Sequence, residues 1–79
     1  TRVIVAVMSD VSTEAVEWLA KFAIAIGVPA PSSADVDTVL ALAGQAARSS
    51  HRQAAPVACW LAASAGLSPA DALAAAGTI

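Results

Sequence analysis

Thr13-Glu14-Ala15-Val16-Glu17-Trp18-Leu19-Ala20-Lys21-Phe22-Ala23-Ile24-Ala25-Ile26 runs straight into Gly27. Ala15, Trp18, Leu19, Phe22, Ala23 and Ile26 recur at the three- and four-residue spacing of one helix face. Glu14, Glu17 and Lys21 line the opposite side. Ser12 or Thr13 is placed to cap the first turn, where Glu14 also meets the positive end of the helix dipole. Gly27 is a stop, because glycine takes the left-handed conformation that ends a helix. The pattern predicts a helix over Thr13–Ile26.

Working downstream, Val28-Pro29-Ala30-Pro31-Ser32-Ser33 reads as a rigid connector. A second helix is predicted over Ala34–Ser49, capped by Ser32 or Ser33, with Asp35 and Asp37 in its first turn. Its inner face is read as Val36, Val39, Leu40, Ala43, Ala46 and Ala47, and Arg48 sits in the last turn. Gly44 lies mid-helix, where it costs about 1 kcal/mol relative to alanine, so a close crossing with another helix is expected there. A third helix is predicted over Pro56–Gly66, with Pro56 at its first position and Val57, Trp60, Leu61 and Ser64 on one face. Ser68-Pro69-Ala70-Asp71 opens a fourth, running to Ala76 and stopping at Gly77: cap, proline, then acid.

Upstream, residues 1–8 are β-branched and read as a strand with nothing in the chain to pair with. The segment is expected to be a strand-like tail, or an extension ahead of a natural start at Met8; pairing with another chain is the remaining option. The fold class is therefore all-α: a compact bundle of about four short helices with a non-helical N-terminal tail. The division expected is residues 1–11 as tail and 12–79 as helical domain.

Composition narrows the possibilities. The chain has 79 residues, one of them cysteine, so an internal disulfide and a cysteine-rich zinc site are both excluded. Apolar residues make up 58%, but 22 residues are alanine, which buries little area. So thin a core motivates an expectation of self-association or of a protein partner. Four Lys and Arg, with a net charge of −2, are too few to neutralise a nucleic-acid backbone. No stretch reads as a membrane span, and a cytoplasmic location is the default expectation.

Chemistry-bearing motifs are few. The sequence holds no glycine-rich phosphate loop, no paired histidines and no Gly-x-Ser-x-Gly, and an enzyme is not expected. Neither a cofactor nor a metal is expected. Cys59 reads as a small core residue rather than a nucleophile. Asp35 and Asp37, two apart on a helix, do not share a face and read as helix-start acids rather than metal ligands. Arg48, His51 and Arg52 flank a turn that leads into a helix N-terminus, a place that favours an anion such as a carboxylate or phosphate. The plainer reading is a polar interhelical loop. Trp18 and Trp60 are candidates for an interface together with Val3, Ile4 and Val5, although core packing is the plainer reading for both tryptophans.

Glu17-Trp18-Leu19, then Asp37-x-Val39-Leu40-x-Leu42-Ala43, then Arg52-x-Ala54-Ala55-Pro56-Val57 with Leu61 and Gly66 following, resemble a small bacterial helical domain of unknown function. Members are often labelled molybdopterin-guanine dinucleotide biosynthesis protein, through association with molybdenum-cofactor nucleotidyltransferases. The resemblance covers about Ala15 to Gly66. Where such sequences more often read Arg-Asp-Val-Ala-His after the leucines, this chain reads Gly44-Gln45-Ala46-Ala47-Arg48. The resemblance implies a compact helical domain near molybdenum-enzyme maturation and supplies no catalytic residue. The leading functional expectation is a non-enzymatic protein-binding or accessory module, as a homo-oligomer or a small subunit. The alternative is a nucleotide or pterin phosphate bound at Arg48, His51 and Arg52.

Overall fold

A computed structural model describes residues 11–79, and all of the regular structure within them is helical. The expected tail, with Val3, Ile4 and Val5, falls almost wholly on residues 1–10 and so lies outside the described residues. Four helices follow: α1 (Thr13–Ile26), α2 (Ser33–Ser49), α3 (Ala54–Ser64) and α4 (Pro69–Ala76). The chain divides into two units, residues 1–32 and residues 33–79. No described helix is long and apolar enough to cross a membrane.

The first unit contributes α1. Ser12 adopts extended backbone geometry, and its hydroxyl oxygen accepts the Ala15 N–H at 3.1 Å, so of the two caps the sequence offers, Ser12 and Thr13, it is Ser12 that serves. At the other end Gly27 takes φ 77°. Its N–H donates to the Ile24 carbonyl at 3.1 Å, and the Val28 N–H donates to that of Ala23 at 2.9 Å. This double closure satisfies carbonyls that the helix leaves without partners. On the predicted stripe Ala23 is buried and Leu19 half-buried, whereas Ala15, Trp18, Phe22 and Ile26 are exposed.

In the second unit α2 is the common element, with α3 and α4 both packed against it. Leu42 and Ala72 are its buried apolar residues. Val39, Leu42, Cys59, Ala62, Leu67 and Ala72 gather around a small cavity of about 90 Å³. The expected inner face of α2 needs two corrections. Leu40 is exposed, and Leu42, left out of that face, is the buried residue. A helix gripped by two others buries the arc between them, and position 42 lies on that arc. Only Asp35, not Asp37, falls in the first turn.

Gly44 is also corrected. A side-chain carbon there would meet no second helix; its near neighbours are all atoms of Arg48, the closest Nη1 at 3.1 Å. The Arg48 side chain folds back along its own helix into the space that glycine leaves. This follows the general tilt of helical side chains toward the N-terminus.

Helix α3 starts two residues before the predicted Pro56, which is therefore its third residue. The first turn of a helix needs no backbone donors, so proline is tolerated there as well as at the first position. The helix closes at Gly66, φ 75°, with Gly66 N–H to Ala63 O at 3.0 Å and Leu67 N–H to Ala62 O at 3.1 Å. Ser68 then caps α4 through the Asp71 N–H at 3.1 Å, with Pro69 leading the helix as predicted.

Candidate interaction surface

Every residue of α3 except Ser64 is apolar, so composition does not say which face packs. The structure answers with size. Ala54, Ala55, Ala58, Cys59 and Ala62 are half-buried, while Val57, Trp60, Leu61 and Ser64 are exposed. Small side chains let two helix backbones approach closely, and the contact then runs through many short-range dispersion contacts rather than through interlocked bulk. Consistent with that, the Cys59 thiol reaches the Val39 carbonyl of α2 at 4.0 Å. Cys59 is partly buried rather than a full core residue.

The consequence is an inverted helix. The bulky face is 54% exposed at Val57, 68% at Trp60 and 56% at Leu61. Core packing is thus corrected for Trp60. It is corrected for Trp18 as well, which is 60% exposed on α1 and stacks on Phe22, one turn on, with ring centroids 5.0 Å apart. Leu61 and Val57 were missed as surface residues. The signal that could have found them is the regular spacing of alanines on the opposite side of the same helix.

The charged turn is arranged differently from the expectation. Arg48, His51 and Arg52 are all exposed. Arg48 points back toward Gly44, away from the turn, and its Nη2 donates to Gln45 Oε1 at 3.5 Å. His51 Nδ1 accepts the Gln53 N–H at 3.3 Å. The Ala54 N–H donates to the His51 carbonyl at 2.8 Å, and the Ala55 N–H to that of Arg52 at 3.1 Å. Pro56 has no N–H to offer. The backbone donors on which an anion would sit at this helix start are therefore engaged inside the loop. Among the described residues no group of three or more His, Cys, Asp or Glu is placed to hold a metal ion.

The model of a domain of unknown function, DUF6457, matches residues 10–78. The chain belongs to this family. No curated protein and no solved structure matches it. Membership of DUF6457 accords with the resemblance to a small helical domain of unknown function. The family description carries no activity, ligand or site residue, so the reading of this DUF6457 chain rests on its own surface.

Proposed function

We propose that the chain is a non-enzymatic accessory module that binds protein through the exposed apolar face of α3. One observation carries the reading: α3 packs with Ala54, Ala58 and Ala62 half-buried and leaves Val57, Trp60 and Leu61 more than half exposed. Apolar side chains of this size, grouped on one helix face, are what a partner covers in helix-in-groove and helix-pair recognition. Tryptophan is also the residue type most enriched among the anchors of such contacts. The exposed Trp18–Phe22 stack on α1 is a second surface of the same kind. A setting in molybdenum-cofactor or molybdoenzyme maturation is supported by the sequence resemblance alone.

The test places a photo-crosslinking amino acid at position 60 of the full chain in its native host, with the same substitution at exposed Asp71 as control. A polypeptide adduct formed from position 60 and not from position 71 is the expected result. No adduct from position 60 overturns the reading. For the setting, deletion of the gene is expected to lower molybdoenzyme activity in the host, and unchanged activity removes the molybdenum assignment.

A further inference from the structure

We draw no further inference here: the strongest candidate, the half-open cavity of about 230 Å³ lined by Leu42 and Ala46 of α2, Ala54 and Ala58 of α3 and Ala76 of α4, is walled almost wholly by apolar surface, and nothing in the structure shows what covers it.

Discussion

Leu42→Ala and Trp60→Ala together test whether α3 lies on its alanine face. Leu42 is 4% exposed and is the one large apolar residue buried among the described residues. Removing its side chain loses the transfer free energy and opens space beside a cavity that already exists, for a cost of about 3 kcal/mol, within the 2–5 seen for buried leucines. Trp60 is much the larger side chain but is covered over only about a third of its surface, roughly 80 Å² of the 150–250 a buried aromatic hides. That corresponds to ~2 kcal/mol at most. A real unfolded chain already covers part of that area, and alanine returns about half a kcal/mol of helix propensity, so the net cost is below about 1 kcal/mol. The measurement is urea unfolding followed at 222 nm. With a total stability of roughly 4–12 kcal/mol for a chain of this length, Leu42→Ala should strip much of the pretransition baseline while Trp60→Ala leaves the midpoint close to wild type. If Trp60→Ala costs as much as Leu42→Ala, the orientation given to α3 is wrong.

Two glycines should respond in opposite directions. Gly44→Ala should raise stability by about 1 kcal/mol, because the added methyl meets only the mobile end of Arg48 and the helix gains its best former; a lower thermal midpoint would show that α2 is hemmed in there after all. Gly66→Ala should lower stability by about 1–2 kcal/mol, although nothing lies within 4 Å of the new carbon, because φ 75° is costly for any residue with a side chain. Equal midpoints for Gly66→Ala and wild type would mean that the turn after α3 relaxes freely.

Local signals were legible in the sequence, and choices between faces were not. Ser12, Gly27 and the Ser68-Pro69 opening act within a few residues of themselves, and each cap or stop stands where its chemistry placed it. The four helices followed from them. Which side of α3 meets α2 is a long-range decision. Both sides are apolar, and bulk does not mark the inside: close approach selects Ala54, Ala58, Cys59 and Ala62. In α2 the three- and four-residue spacing from Val36 points to Leu40, whereas the arc between the two packed helices buries Leu42. A costly glycine inside a helix points to a crossing at Gly44, yet the vacant space is filled from one turn away by Arg48. The charged turn was legible as a cluster. Its hydrogen bonds, which engage the backbone donors, depend on a helix start two residues earlier than Pro56 implied.

An alanine seam closed over one leucine also sets how the molecule answers to temperature. Melting it uncovers little oily surface to water, so the heat-capacity increment should fall below the ~12–15 cal/mol/K per residue of ordinary domains. Its stability curve is then shallow, nearly level from refrigerator to body heat. Warming should loosen the chain gradually, over a wide span of degrees, rather than at a sharp point.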